Sequence, residues 1–270
     1  MGDGLKYPLL LVHGMGFRDS RRFHYWGRIP ARLEEMGCHI YYGGQDSNGT
    51  IEANGAFLAK RIREIRKETG ASKLHVIAHS KGGLDMRYAI STLGMSESVA
   101  SLTTISTPHH GSRTVDRLLK LPDFLVRAVA GMWDVLLWIC GDKAPRTYEV
   151  ICTFTTDAAR KFNRANPDQP GVYYQSYAFV MRHVWSDMFL FVPGMVVKMF
   201  EGPNDGLLPP ASAVWTNFRG VMTGNSCRGI SHCDEVDMRR RKLTLRRGDG
   251  VSDIVELYAG IVADLQARGL

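Results

Sequence analysis

The 270-residue chain is poor in cysteine, contains no apolar run long enough to cross a bilayer, and shows neither internal repeats nor low-complexity linkers. Its five cysteines, Cys38, Cys140, Cys152, Cys227 and Cys233, are odd in number and irregularly spaced. That argues against a disulfide framework, though one bridge stays possible, and without a C-x-x-C pair there is no signal for zinc or thiol redox chemistry. The most apolar stretches, residues 128–140 and 188–200, are interrupted by Asp134 and by Pro193 and Lys198, so no transmembrane segment is expected. Residues 1–6 run straight into an apolar strand without the pattern of a leader peptide, which suits either a cytoplasmic protein or a mature exported one. The net charge of +7 is concentrated in Arg239-Arg240-Arg241-Lys242 and Arg246-Arg247. With no aromatic interleaving and no reader motif, this is a solvated basic face, and no nucleic-acid partner is expected.

What remains is ordinary for a globular protein: 44% hydrophobic and 23% charged residues, in a chain long enough to bury a substantial core. Residues 7–12 read as a buried strand. Residues 26–36 carry helical spacing, and 38–42 read as a short strand. Ile51, Gly55, Leu58, Ile62 and Ile65 recur every three or four positions with charges between them, giving an amphipathic helix that Gly70 ends. Strands follow at 74–78 and 99–105, with a helix between them. Further on, 157–163 reads as helix, 172–180 and 196–200 as strands, 229–235 as a loop, and Ile254, Leu257, Tyr258, Ile261, Val262 and Leu265 as a C-terminal amphipathic helix. Alternation of this kind predicts an α/β fold with a mostly parallel central sheet flanked by helices, in a single domain covering residues 1–270. Residues 118–140 break the pattern with more apolar surface than one helix face can bury. They are either a pair of core helices or an inserted lid over an acyl-binding cleft.

Ligands in parallel sheets bind at the carboxyl ends of strands. The sequence Ala78-His79-Ser80-Lys81-Gly82-Gly83 ends a strand and opens a helix, with small residues two before and two after the serine. That is the pattern of a nucleophile elbow, in which a strained turn lifts the hydroxyl above the sheet. Serine needs a general base, itself oriented by a carboxylate. Downstream of Ser80, His232 occupies a Gly- and Ser-flanked loop before the last helix, whereas His183 precedes an apolar pair and reads as structural. Asp205, in the turn Pro203-Asn204-Asp205-Gly206 after the 196–200 strand, is the candidate acid. Glu201 is the runner-up, and Asp157 and Asp168 lie in less suitable contexts. The oxyanion would take the backbone N–H groups of Lys81 and of Met15, which follows His13-Gly14. The pair His109-His110 has no further ligand at metal spacing and reads as structural.

The stretches Y-P-L-L-L-V-H-G-M-G-F, A-H-S-K-G-G, S-T-P-H-H-G-S, N-D-G-L-L-P and S-H-C-D-E-V resemble, in order, the signatures of bacterial triacylglycerol lipases of the Pseudomonas, Burkholderia and Proteus type. The resemblance implies an α/β-hydrolase fold and ester hydrolysis through Ser80, Asp205 and His232. It also implies an oxyanion hole at Met15 and Lys81, a lid within residues 113–145, and a secreted protein. That family carries a structural calcium bracing the histidine loop. Asp234 and Asp187 match two of its ligands, but Met238 stands where the family has a side-chain amide and cannot bind a hard cation. No cofactor is required for the chemistry. The expected substrates are carboxylic esters of medium- to long-chain fatty acids at an oil–water interface. A phospholipase or acyltransferase on the same fold, and a non-catalytic lipid-binding protein on a hydrolase scaffold, are the alternatives.

Overall fold

The computed structural model describes residues 4–17, 24–245, 248 and 250–270, so Arg246 and Arg247 of the basic cluster lie outside the described residues. In chain order the elements begin with β1 (Leu9–Val12), α1 (Ile29–Glu35), β2 (Ile40–Tyr42), α2 (Ile51–Thr69), β3 (Leu74–His79) and α3 (Lys81–Ser91). They continue with β4 (Val99–Ile105), α4 (Arg113–Leu118), α5 (Asp123–Ile139), α6 (Thr147–Thr153), α7 (Thr156–Ala165) and β5 (Tyr173–Phe179). The chain closes with α8 (Phe191–Glu201), α9 (Pro210–Ala213), β6 (Phe218–Met222) and α10 (Ile254–Ala267).

The strands form one parallel sheet in the order β2-β1-β3-β4-β5-β6. Its central strands are buried on both faces, which is why β1 reads as an unbroken apolar run instead of an alternating one. Leu9 and Leu11 pack on one side with Ile29 and Leu33 of α1 and Tyr258, Ile261 and Val262 of α10. Leu10 and Val12 pack on the other with Leu58, Ile62 and Ile65 of α2 and Met86 and Ile90 of α3. Helix α2 takes Thr50 as its N-cap and ends, as its sequence predicts, on Gly70, which is in the left-handed conformation.

The strand expected at residues 196–200 is instead the second half of helix α8. A short apolar run has no periodicity of its own, and here it continues the helical stripe of Val192, Met195 and Val196. Asp205 therefore follows a helix. The strand that sequence reading misses is β6, whose Phe-Arg-Gly-Val-Met lacks a clean alternation. All five cysteines are free. No helix of the described residues is long and apolar enough to cross a membrane.

Candidate active site

Strand β3 delivers Ser80 to the top of the sheet, and helix α3 starts at the next residue. The Ser80 backbone is held at φ 52° and ψ −130°, a region that side-chain-bearing residues rarely adopt. The surroundings over-determine that turn. Ser80 N–H donates to the Ile105 carbonyl (2.8 Å), and the Ser80 carbonyl accepts from the Thr107 hydroxyl (2.8 Å). A Cβ on Gly82 would stand 2.5 Å from the His13 carbonyl oxygen, and one on Gly83 would stand 2.1 Å from Thr107 Oγ1. Both glycines are therefore required by close approach.

His232 and Asp205 are brought together as their sequence contexts predict. Asp205 is buried, and its Oδ2 lies 2.8 Å from His232 Nδ1, while the His232 amide donates to the Asp205 carbonyl (2.8 Å). The other carboxylate oxygen accepts from the amides of Leu207 and Leu208, each at 2.8 Å. Burial pushes the Asp205 pKa up. The facing His232 and these two amides outweigh burial and hold it below the ordinary carboxylate range. The His232 ring lies 4.4 Å, centroid to centroid, from that of His79, the residue before Ser80, so His232 and Ser80 share one end of the sheet. Among the described residues no hydrogen bond closes between the Ser80 hydroxyl and His232. Such contacts tighten when substrate is bound.

The β1 end completes the constellation. A Cβ on Gly14 would stand 2.7 Å from the Ser80 Cβ, so the Gly14-Met15 turn lies directly against Ser80. The Gly16 amide donates to Asn48 Oδ1 (2.9 Å), fixing the far side of Met15. Lys81 opens α3, so its N–H belongs to the first helical turn, where amides have no intrahelical acceptor. The Lys81 side chain, for which sequence reading offers no role, is wholly buried and grips both carboxylate oxygens of Asp85, one turn along (2.7 and 2.8 Å).

Three residues of this site escape sequence reading. Glu235 is fully buried, with Oε2 3.1 Å from His79 Nε2 and 3.7 Å from His232 Nδ1. Tyr25 accepts from the Gly14 amide (3.0 Å) and lies 2.7 Å from His79 Nδ1. A chain of contacts thus runs from the turn beside Ser80 through Tyr25, His79 and Glu235 to His232. Burial, aided by the Asp205 charge, raises the Glu235 pKa well above the ordinary range. Burial, then His232 and His13, pushes His79 well below it. The only advance signals were the position of His79 beside Ser80 and that of Glu235 three residues after His232.

The competing candidates fall elsewhere. Glu201 caps α4, accepting from the Ser112 hydroxyl and the Thr114 amide. Asp157 pairs with Arg160 and Lys161 on the surface, and Asp168 accepts from Trp215 Nε1. His183 is exposed and stacks on Trp185. His109 is buried between Thr104 and Arg87 and stacks on Trp215, a structural role as its sequence suggests. Asp187 and Asp234, matched to calcium ligands, do come together, but around the Arg239 guanidinium.

Residues 8–173 match the family described as palmitoyl protein thioesterase. The chain is 30% identical over 267 residues to triacylglycerol lipase 2 of Saccharomyces cerevisiae, covering 94% of this chain and 76% of that protein. It is 31% identical over 172 residues to a triacylglycerol lipase of Pseudomonas fragi, covering 60% of this chain and 58% of that one. Among solved structures, the Staphylococcus hyicus lipase superposes with a TM-score of 0.69 at 17% identity, over 99% of this chain and 97% of that one, a likeness of fold. A parallel sheet with an elbow serine at its centre, and a family match over more than half of its length, show that the chain belongs to the palmitoyl protein thioesterase family, with proteins named triacylglycerol lipases among its relatives.

Proposed function

We propose that the protein hydrolyses carboxylic esters of medium- to long-chain fatty acids, triacylglycerols included, through an acyl-enzyme on Ser80. The observation that carries this is the 2.8 Å contact between His232 Nδ1 and a buried, ionised Asp205 at the same sheet end as the strained Ser80. His232 Nε2 takes the Ser80 proton as Oγ attacks the ester carbonyl, and Asp205 holds the ring and stabilises the imidazolium. The tetrahedral oxyanion is received by the Met15 and Lys81 amides, each worth about 2.7–4 kcal/mol. The imidazolium then protonates the leaving alcohol. Water, deprotonated by the same ring, releases the fatty acid.

The preference for long acyl chains rests on α4 and α5, within the 113–145 segment proposed as a lid. Helix α5 buries Val126, Ala130 and Leu137 but leaves Phe124, Val129, Met132, Trp138 and Ile139 more than 60% exposed. That is a larger apolar face than a water-facing helix normally carries. Both ends of the segment are pinned. Glu201 caps α4, and Asp142 accepts from the Ser47 amide and hydroxyl and the Asn48 amide. Ser80 and His232 are each less than one-tenth exposed, so a bulky ester reaches them only after covering groups move.

Ser80→Ala is expected to abolish p-nitrophenyl ester turnover, by at least about 10³-fold, with Tm within a degree or two of the parent. A chain-length series assayed beside a palmitoyl thioester places the substrate preference. Wild-type-like turnover by a folded Ser80→Ala protein would sink the assignment.

A further inference from the structure

We propose that Arg239 is the built-in cation that braces the His232 loop, in the place where the resemblance to bacterial lipases implies a divalent metal. Three segments meet there: the chain leading into α8, which carries Asp187; the loop of Ser231 and His232; and the turn holding Asp234 and Arg239. Arg239 Nη2 lies 2.8 Å from Asp187 Oδ2 and its Nε 3.0 Å from Asp234 Oδ1, so a single guanidinium spans both carboxylates. Its Nη2 also donates to the Ser186 carbonyl (3.2 Å).

The remaining carboxylate oxygens are engaged as well. Asp187 Oδ1 accepts from the Phe189 amide (3.0 Å), and Asp234 Oδ2 from the Ser231 amide (3.3 Å). The Ser231 hydroxyl lies 2.7 Å from Asp187 Oδ2 and 3.0 Å from Asp234 Oδ2. All four oxygens therefore have partners without a metal. The donor set does not fit calcium, which takes six to eight oxygens. A planar guanidinium fills the gap between the two carboxylates, Met238 offers only a soft thioether, and Arg228 adds a second guanidinium on the Ser186 carbonyl (3.0 Å). A planar fork is suited to bridging two carboxylates, which lysine cannot do with one ammonium.

The consequence for the site follows from chain connectivity. Asp234 lies two residues after His232 and Ser231 one before it, so anchoring both to Asp187 fixes the loop that sets the base against Asp205. Arg239 is thus a positioning residue. It touches neither substrate nor Ser80.

The test uses the full chain and reads melting and turnover separately; only the turnover arm rests on the assignment of His232 as base. For the parent protein, Tm and kcat are expected to be the same in millimolar calcium and in chelator. Arg239→Ala should lower Tm by about 5–10 °C, because it leaves two buried carboxylates without their cation. It should also lower kcat on a soluble short-chain ester severalfold with KM little changed. Millimolar calcium or guanidinium, admitted to the vacated space between the two aspartates, should restore both readouts in part. Arg239→Lys, which keeps one contact and guards against a variant that fails to fold, should fall between parent and alanine variant. Three results would each overturn the inference: a parent that loses Tm in chelator and regains it with calcium, an Arg239→Ala protein that melts and turns over like the parent, or one that neither cation restores.

Discussion

At the scale of single residues, Glu235 raises the sharpest question. An ionised carboxylate there would put a second negative charge beside the imidazole that Asp205 already orients, without access to water. The structure instead favours a neutral acid held between His79 and His232. Glutamine has nearly the same shape, so Glu235→Gln should keep most of the neutral-pH turnover. Glu235→Ala, which opens a cavity and cuts the contact chain, should lower kcat about tenfold, equivalent to ~1.4 kcal/mol. The pH dependence has a definite direction. A native state that keeps a proton the unfolded chain releases loses stability as pH rises above the ordinary glutamate range. Glu235→Gln should flatten that decline in Tm, and a glutamine variant as impaired as the alanine one would show that the ionised form is needed. Ser80, Asp205 and His232 were legible in the sequence because each occupies a turn whose residue types are constrained by backbone geometry. Glu235 and Tyr25 were not, because their partners lie more than one hundred and fifty and more than fifty positions away, at His79 in both cases. The Lys81 side chain was readable in principle. Asp85 follows it by four residues, the spacing at which helical side chains meet.

Among the elements, β1 was legible because burial on both faces made it an unbroken apolar run, and β3 and β4 because their mostly apolar or β-branched residues are bounded by turn signals. The same signal misled at residues 196–200, because α8 is apolar on several sides and a five-residue window of it looks like a buried strand. Residues 118–140 were ambiguous for a related reason: sequence shows how much apolar surface exists, while its direction depends on the packing. In the structure it points outward. If α5 serves an oil surface, making its exposed face polar should cost little stability, since surface substitutions usually fall within about 0.5 kcal/mol. The double variant Met132→Gln, Trp138→Gln should therefore melt with the parent and hydrolyse a dissolved ester at the parent rate. On an emulsion it should lose at least half of its activity, because apolar area that would enter the oil has been removed. A double variant that keeps its emulsion activity, or that loses both activities equally, would remove α5 from the role of lid.

For the molecule as a whole, the parallel sheet buries histidines that cannot easily be charged. Burial lowers the His75 pKa to about 4, with its Nδ1 2.8 Å from the Ser101 hydroxyl in the middle of the sheet. Burial likewise pushes His79 and His109 well below the ordinary histidine range, with neighbouring His232 and Arg87, respectively, adding to the effect. Each of the three is neutral in the native state at pH values where the unfolded chain takes up a proton. The unfolded state therefore binds more protons, and stability is fully present above the unfolded histidine pKa and is lost as pH falls below it. His75 alone accounts for about 3 kcal/mol once the pH has dropped to its native pKa. The lowered pKa of Asp205 works in the same direction at still lower pH, whereas the carboxyls of Glu235, Asp85 and Asp234, raised by burial, oppose the trend. The net expectation is a steep fall in Tm between about pH 6.5 and pH 4.5, set by the sheet and independent of substrate. His75→Phe, which keeps the ring and removes the titrating nitrogens, should flatten that fall by about one proton's worth, ~1.4 kcal/mol per pH unit, in melts recorded across the range. An unchanged slope in the folded variant would mean that His75 does not carry its share, and a flat parent profile would mean that the buried histidines are hydrated in solution.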